Sequence, residues 1–395
     1  MTASPDAFAL EADVTRLLGP DGVVTAPGAP PELHPDALVE LHRAMVQQRA
    51  VDTAMTALRA AGTLRHYPAA TGLEAAIFGP GWALNAQDWV FPAMREHGIA
   101  RLRGATVDDL VAQCFGNLLD RARGRQLPGH LGAPGQQLAS TSPPLATQLV
   151  HAAGTARGMQ LGRSNAVALA YLGAAATCTS DFHAACHLAG RERLPVVFVC
   201  IRNMGAPVEL AERTMAKTVS ARVLPYRIAA SRVDGGDVLA CYAATRDAVA
   251  RARRGEGPSF IEALAWRLEE PAAAATTPAW AGWGDRIGRG AAPSAADPGP
   301  TAGAAGPDHP LRATHRDTLP SEWDPLVRLE AWGLAAGWLD REQLAHARAT
   351  ARAEVEDVVA IMRVQDPPAA SGLGDDVYAV RPWSLEAQLA KLQGV

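Results

Sequence analysis

Cysteine and excess charge are both scarce in this chain, and each scarcity excludes a class of protein. The five cysteines among 395 residues are scattered and form no CxxC pair, which supports neither a disulfide framework nor a structural zinc site. The formal net charge is only −4, so the chain has no global basic field that would attract nucleic acid or anionic lipid. We therefore expect neither a nucleic-acid partner nor a membrane partner.

Long apolar runs are also lacking, because Pro, Gly and Arg interrupt the Ala-rich stretches. No window approaches the roughly 20 apolar residues of a membrane span. The N-terminus has neither the basic start nor the sustained apolar stretch of a secretory signal. Since scattered cysteines are typical of reduced thiols, we expect a cytoplasmic location.

Composition and patterning divide the chain into four segments. Apolar residues make up 48% of it, enough for a sizeable core. Residues 1–34 are rich in Pro, Ala and Gly and predict an arm that lies over a surface. An α/β domain is expected at 35–270, and an Ala/Gly/Pro-rich loop, which we expect to be mobile, at 271–320. Helical periodicity returns in a C-terminal extension at 321–395.

The centre of the chain has a strand–helix–strand pattern. Residues 166–172 and 196–201 are short apolar runs with little alternation, typical of strands buried on both faces. The helical stretch between them, which we expect Ser180 to cap, makes a crossover that implies parallel strands. Residues 258–266 predict a further strand. The expected fold class is therefore α/β, with a mostly parallel sheet and helices on both of its faces.

The turn Gly173-Ala174-Ala175 follows the first of these strands. Ligands of open parallel sheets bind outside the carboxyl ends of the strands. A turn of small residues lets a phosphate approach the backbone, and the following helix N-terminus favours its charge. Close packing is the alternative interpretation, and three small residues after a buried strand indicate it more often.

Several motifs follow one another in a fixed order along most of the chain. They are DWVFPAMREHG at 88–98, FGN at 115–117, GRQLPGH at 124–130, SPPLATQL at 142–149, LPVVFVC at 194–200, RVDGGDVLA at 232–240 and ARRGEGPSFIEALAWR at 252–267. In this order and at these intervals they resemble the alpha subunits of the thiamine-diphosphate-dependent 2-oxo acid dehydrogenase first component. LLGPDG near the start and SPPLATQ make the branched-chain members look closest.

The resemblance implies a thiamine-diphosphate-binding fold and a set of partners. Members of this family bind thiamine diphosphate with magnesium between an alpha and a beta chain, typically in an α2β2 tetramer. They decarboxylate a 2-oxo acid oxidatively and pass the acyl group to lipoamide on an acyltransferase. The implied cofactors are thus thiamine diphosphate and magnesium, with potassium in branched-chain members. The implied partners are a beta subunit and a lipoyl acyltransferase.

Several site residues can be carried over from the resemblance. Arg95 matches the arginine beside the diphosphate, although Met94 replaces its tyrosine neighbour. His130 matches the histidine that borders the cofactor cleft; a surface histidine after a Pro-Gly turn is the alternative. Ser142, Thr147 and Gln148 match a potassium site, for which a helix cap followed by polar residues is the alternative.

Three departures concern the cofactor site itself. Ala174, in Gly173-Ala174-Ala175, stands where the family has an acidic magnesium ligand, and a methyl group cannot coordinate a hard cation. A gapless alignment places Asn203 at the other magnesium-binding position and Arg202 before it, whereas a shift of one residue would place Met204 at the ligand position. Arg202 could neutralise a diphosphate directly, or it could lie in a solvated turn. The histidine of the family's cofactor loop is absent after Arg267.

Two functions from different classes therefore remain open. The chain is either the alpha subunit of a working 2-oxo acid dehydrogenase or a catalytically impaired paralogue that acts as a scaffold or regulatory subunit. The overall pattern and Arg95 favour the first hypothesis. The combined loss of the acidic ligand, the tyrosine and the loop histidine favours the second.

Overall fold

A computed structural model describes the greater part of the chain. The described residues are 13–24, 33–64, 66–204, 216, 218–268, 323–375 and 377–392. The loop expected at 271–320 lies outside them, as does much of the arm expected at 1–34. Within the described ranges, no helix is long and apolar enough to cross a membrane.

The core of the fold is a five-stranded sheet in which every pairing is parallel. The strands are β1 (Trp89–Phe91), β2 (Ala168–Gly173), β3 (Val196–Asn203), β4 (Ala229–Asp234) and β5 (Ser259–Ala265), in the spatial order β1-β2-β3-β5-β4. The three predicted strands are confirmed as β2, β3 and β5, which occupy the centre of the sheet. They form continuous apolar runs because both of their faces are covered.

Helices cover both faces of the sheet. In chain order they are α1 (Pro35–Ala60), α2 (Glu74–Trp82), α3 (Ile99–Leu102), α4 (Val107–Phe115), α5 (Thr147–Leu161), α6 (Ser180–Glu192), α7 (Val238–Arg253), α8 (Pro325–Ala336), α9 (Arg341–Arg363) and α10 (Trp383–Leu392). The cap expected at Ser180 is wrong by one residue. Thr179 is the N-cap of α6, and its side chain accepts a hydrogen bond from the backbone N–H of Phe182.

The buried side chains form one apolar layer on each face of the sheet. One layer joins α1, α2 and α7 to side chains such as Leu169, Val199 and Ile261. The other layer joins α5 and α6 to strand side chains on the opposite face of the sheet, such as Phe198 and Phe260. Alternate residues of one strand thus enter different layers, as the two-residue period of a strand requires. The predicted α/β class, with helices on both faces, is confirmed.

The C-terminal helices are joined to the domain by both polar and apolar contacts. Arg328 of α8 is fully buried, and its guanidinium lies 3.0 Å from Asp234 Oδ2 at the end of β4. The same guanidinium donates to the carbonyl oxygens of Leu18 and Gly19. Apolar residues of α9 also pack against α1 and α4. The N-terminal segment, the sheet and the C-terminal extension are therefore held at one point.

Candidate functional site

The carboxyl ends of β1, β2 and β3 lie at one edge of the sheet and bring the predicted site residues together. Gly173 ends β2 and pairs in register with Ile201 of β3. A Cβ atom at Gly173 would meet no other atom within 4 Å, so the backbone there borders open space. Ala174 begins a short 3-10 helix that ends at Cys178. The turn predicted to admit a phosphate is thus open on one side.

Arg95 follows β1 at the same edge and is half-buried. Its Nε atom is inaccessible, and no hydrogen-bond partner for that atom exists among the described residues. Burial lowers the pKa of Arg95, and the negative charge of Glu96 opposes this shift. A buried cation that lacks hydrogen-bond partners is costly, and a bound anion would remove part of that cost. The predicted phosphate contact of Arg95 therefore fits its surroundings.

The pKa shifts of two nearby histidines report the positive potential around Arg95. Burial lowers the pKa of His66, and the charges of His130, Arg59 and Arg95 lower it further. Burial likewise lowers the pKa of His97 to about 4, with smaller contributions of the same sign from Arg95 and His130. His130 is itself buried, so it is not the surface histidine of the alternative interpretation. The region around Arg95 thus favours an anion.

A buried polar network supports the segment that carries Arg95. Asp52 Oδ1 accepts hydrogen bonds from Tyr67 Oη at 2.6 Å and from Gln48 Nε2 at 2.9 Å. Asp52 Oδ2 accepts one from the backbone N–H of Ala70 at 3.0 Å. Tyr67 Oη also lies 2.9 Å from His97 Nε2, two residues beyond Arg95. This network fixes the backbone at His97 and thereby the position of Arg95.

Sequence reasoning missed this network, although a signal for it existed. Gln48 and Asp52 are four residues apart and both lie on the buried face of α1. Two polar side chains on a mostly apolar helical stripe require buried partners, since an unpaired buried carboxylate is costly. The identity of those partners, Tyr67 and His97, depends on the tertiary structure.

The loop that carries His130 is held by side chains of the preceding segment. Gln113 of α4 donates from Nε2 to the carbonyl of Leu127 at 2.5 Å and accepts from the N–H of Gly129 at 2.7 Å. Gly129 has a positive φ of 84°, and a Cβ there would approach the carbonyl oxygen of Met94 to 3.3 Å. The loop therefore lies directly against the residue that precedes Arg95.

Arg202 and Asn203 end β3, but each already has a partner. Arg202 Nη1 lies 3.2 Å from Oε1 of Glu262, which is fully buried. The interpretation of Arg202 as part of a solvated turn is therefore wrong, because β3 extends through Asn203. Its proposed contact with a diphosphate stays a prediction. Asn203 Oδ1 accepts a hydrogen bond from the N–H of Arg267 at 3.2 Å.

The predicted potassium residues lie around the start of α5. Ala146, with a positive φ of 68°, is the N-cap of α5. Ser142 lies before that position, so the helix-cap alternative is wrong for Ser142. Gln148 Nε2 donates to the carbonyl oxygen of Tyr171 at 2.9 Å. A potassium ion held by Ser142, Thr147 and Gln148 stays a prediction.

Comparison with known proteins agrees with this geometry. A model of the dehydrogenase E1 component family matches residues 42–271, more than half of the chain. The chain belongs to this family. Among its relatives, the 2-oxoisovalerate dehydrogenase subunit alpha of Bacillus subtilis (strain 168) is 33% identical over 233 residues, which cover 58% of this chain and 71% of that protein.

Two mitochondrial relatives align over more of the chain. The Homo sapiens 2-oxoisovalerate dehydrogenase subunit alpha is 28% identical over 385 residues, covering 96% of this chain and 79% of that protein. The Arabidopsis thaliana 2-oxoisovalerate dehydrogenase subunit alpha 2 is 28% identical over 381 residues, covering 94% of this chain and 73% of that protein. The expected resemblance to E1 alpha subunits is thereby confirmed.

Membership of the E1 family implies thiamine diphosphate. The site fits the anionic end of this cofactor, but it fits the magnesium ion that the resemblance implies poorly. Arg95, with its buried Nε and its positive surroundings, fits the anionic end of the cofactor. The fit to magnesium is poor, because the Ala174 side chain has no ligand atom, which leaves Asn203 Oδ1 as the one side-chain oxygen of the predicted pair. Moreover, the described ranges contain no group of three or more His, Cys, Asp or Glu side chains that could hold a metal ion.

Proposed function

We propose that this chain is the alpha subunit of a 2-oxo acid dehydrogenase E1 component and works with a beta subunit, as an α2β2 tetramer. The observation that carries the proposal is the buried Nε of Arg95 at the carboxyl edge of the sheet, for which the described residues supply no hydrogen-bond partner. The substrate class we propose is a branched-chain 2-oxo acid, because the aligned relatives are 2-oxoisovalerate dehydrogenases. The acyl group would pass to a lipoyl acyltransferase.

The residues of this chain serve to bind and orient. Thiamine diphosphate, when bound, supplies the stabilisation of the carbanion that decarboxylation requires. Arg95 would hold the diphosphate through charge-assisted hydrogen bonds. The network of Asp52, Tyr67 and His97 keeps the Arg95 segment in one position. Because burial keeps His97 uncharged near neutral pH, it supports that segment without adding a second buried cation.

A scaffold or regulatory subunit is the second candidate function. It is favoured by Ala174 at the position of the acidic metal ligand and by Met94 in place of a tyrosine. Arg202 pairs with Glu262, which weakens the idea that its charge compensates for a lost metal. A chain with this function would keep the fold and the surface that binds a beta subunit, and it would not support turnover.

A turnover assay separates the two functions. The chain is co-purified with its beta subunit, supplied with thiamine diphosphate and magnesium, and tested with 2-oxoisovalerate and an artificial electron acceptor. We expect turnover that falls by about two orders of magnitude in Arg95→Gln, because charge-assisted phosphate contacts are lost. Arg163→Gln, an exposed arginine after α5, is the matched control and should leave turnover unchanged. An assembled complex with no turnover of any 2-oxo acid would favour the scaffold.

A further inference from the structure

A second cavity lies at the amino ends of the strands, away from the candidate cofactor site. Its volume is about 650 Å³, within the range of small-molecule sites. It is lined by His187, Gly190, Arg191, Arg193, Pro225, Tyr226, Arg227, Arg251, Glu256, Gly257 and Pro258. These residues end α6 and α7 or immediately precede β3, β4 and β5. Because β3 has eight residues, roughly 25 Å separate its two ends.

The cavity has a strong excess of positive charge. Four arginines line it, and Glu256 is the one carboxylate in its lining. That carboxylate is already engaged, since Arg251 Nη1 lies 3.2 Å from Oε2 and Arg254 Nε lies 2.5 Å from Oε1. Arg191 pairs with Glu192 at 3.2 Å, whereas Arg193 and Arg227 have no carboxylate partner in the described part of the chain. Their charges are therefore available to an anion.

The backbone around the cavity is unusual at the two available arginines. Arg193 has a φ of 51° and Arg227 a φ of 58°, in the left-handed region that residues with a side chain rarely adopt. Arg251 adds a buried Nε that lacks a partner among the described residues. A Cβ at Gly190 would lie 1.8 Å from the carbonyl oxygen of Tyr226. The close packing of these segments brings the arginines to one cavity.

Helix ends explain only part of this arrangement. Arg193 follows α6, and Arg251 lies in the last turn of α7, where a positive charge interacts favourably with exposed carbonyl groups. That interaction requires one basic residue at each helix end. It does not require the ends of α6 and α7 and the segment before β4 to enclose a shared cavity.

We propose that this cavity binds a nucleoside di- or triphosphate. The arginine guanidinium groups supply the planar, two-pronged donors that bind phosphate. Tyr226 supplies an aromatic wall whose hydroxyl group is fixed 2.7 Å from Nδ1 of His183, and Pro225 and Pro258 extend that wall. A nucleotide would place its anionic phosphate chain against the arginines and its ring against the aromatic wall. Because the cavity lies at the opposite edge of the sheet, thiamine diphosphate and the nucleotide would bind together.

The test is a calorimetric titration of ADP into the full chain co-purified with its beta subunit, once without and once with thiamine diphosphate at saturation. The test variant is the double substitution Arg193→Gly and Arg227→Gly. Glycine adopts positive φ without steric cost, so these substitutions remove charge and keep the backbone. Arg163→Gly is the matched control, because Arg163 also has a positive φ, of 53°, and lies outside the cavity. Circular dichroism checks that each variant is folded.

We expect wild type and Arg163→Gly to bind ADP equally and the double variant to bind at least about tenfold more weakly. Inorganic pyrophosphate should compete more weakly than ADP, because it cannot contact the Tyr226 wall. Failure of ADP to bind below millimolar concentration, or equal affinity in the double variant, would overturn the proposal. Pyrophosphate that competes as well as ADP would overturn the nucleoside part. Displacement of ADP by thiamine diphosphate would overturn the separate site.

Discussion

Two arginines show how the same residue type can serve structure or binding. Arg328 has no exposed surface; its Nε and Nη2 donate to Asp234 and two backbone carbonyl oxygens, and its Nη1 lies 3.0 Å from Asp234 Oδ2 without a hydrogen bond among the described residues. Arg95 is half-buried, and its Nε has no partner in the described ranges. The charge of Arg328 is neutralised by an ion pair with Asp234, whereas Arg95 forms no ion pair among the described residues and keeps its charge for a ligand. This contrast is the residue-level basis for assigning Arg95 to a phosphate.

His97 predicts a pH dependence of stability. Its pKa in the folded chain, about 4, lies below the ordinary value of 6.5 because of burial. The unfolded chain therefore binds more protons between these two pH values, and protonation favours unfolding. The contribution of neutral His97 to the free energy of unfolding is fully present above pH 6.5 and is lost as the pH falls toward 4. Its size is on the order of 3 kcal/mol.

Urea denaturation of wild type and His97→Gln between pH 7 and pH 4 measures this effect. Wild type should lose more stability than the variant over this range, because an amide does not titrate. Burial also lowers the pKa of His66, so some pH dependence should persist in the variant. Equal losses in the two proteins would show that His97 is not the group responsible.

Two helical glycines predict opposite effects of the same substitution. Gly190→Ala in α6 should destabilise the fold by about 1–3 kcal/mol, because the new Cβ would overlap the carbonyl oxygen of Tyr226. Gly154→Ala in α5 should stabilise it by about 0.5–1 kcal/mol, since no atom lies within 4 Å and alanine favours a helix. Thermal denaturation of both variants checks the pair. A Gly190→Ala variant as stable as wild type would contradict the packing described for α6, and a destabilised Gly154→Ala variant would contradict the open space at α5.

At the scale of elements, the sequence predicts the centre of the sheet better than its edges. β2, β3 and β5 are buried on both faces and therefore appear as apolar runs. β1 has only three residues, and the first half of β4 is largely exposed, so neither produces such a run. Edge strands are recognised through their pairing partners, which a local pattern does not contain.

The candidate site was predictable only in part, for a related reason. Arg95 and His130 were recognised through motifs that resemble the family, and the structure places both in one electropositive region. The partnership between Arg202 and Glu262 joins two strands 60 residues apart, and no spacing in the sequence indicates it. Likewise, the contact of Tyr67 with His97 arises from the meeting of two loops.

At the scale of the whole molecule, Arg328 joins segments that are far apart in the chain. Arg328→Met should lower the free energy of unfolding by about 3–5 kcal/mol, because Asp234 loses one of its buried partners. Arg352→Met is the matched control: Arg352 pairs with Glu356 at 2.7 Å on an exposed helical face, and its loss should have no measurable effect. Chemical denaturation of both variants measures the difference. Equal effects would contradict a joining role for Arg328.

The proposed function requires that the electropositive region around Arg95 hold thiamine diphosphate. The most direct measurement is a calorimetric titration of this cofactor into the chain co-purified with its beta subunit. One titration contains magnesium, and a second contains a chelator in its place. We predict binding of micromolar strength or tighter that weakens by at least about tenfold in Arg95→Gln. A correctly assembled complex that binds no thiamine diphosphate, or an Arg95→Gln variant that binds it as wild type does, would contradict the account.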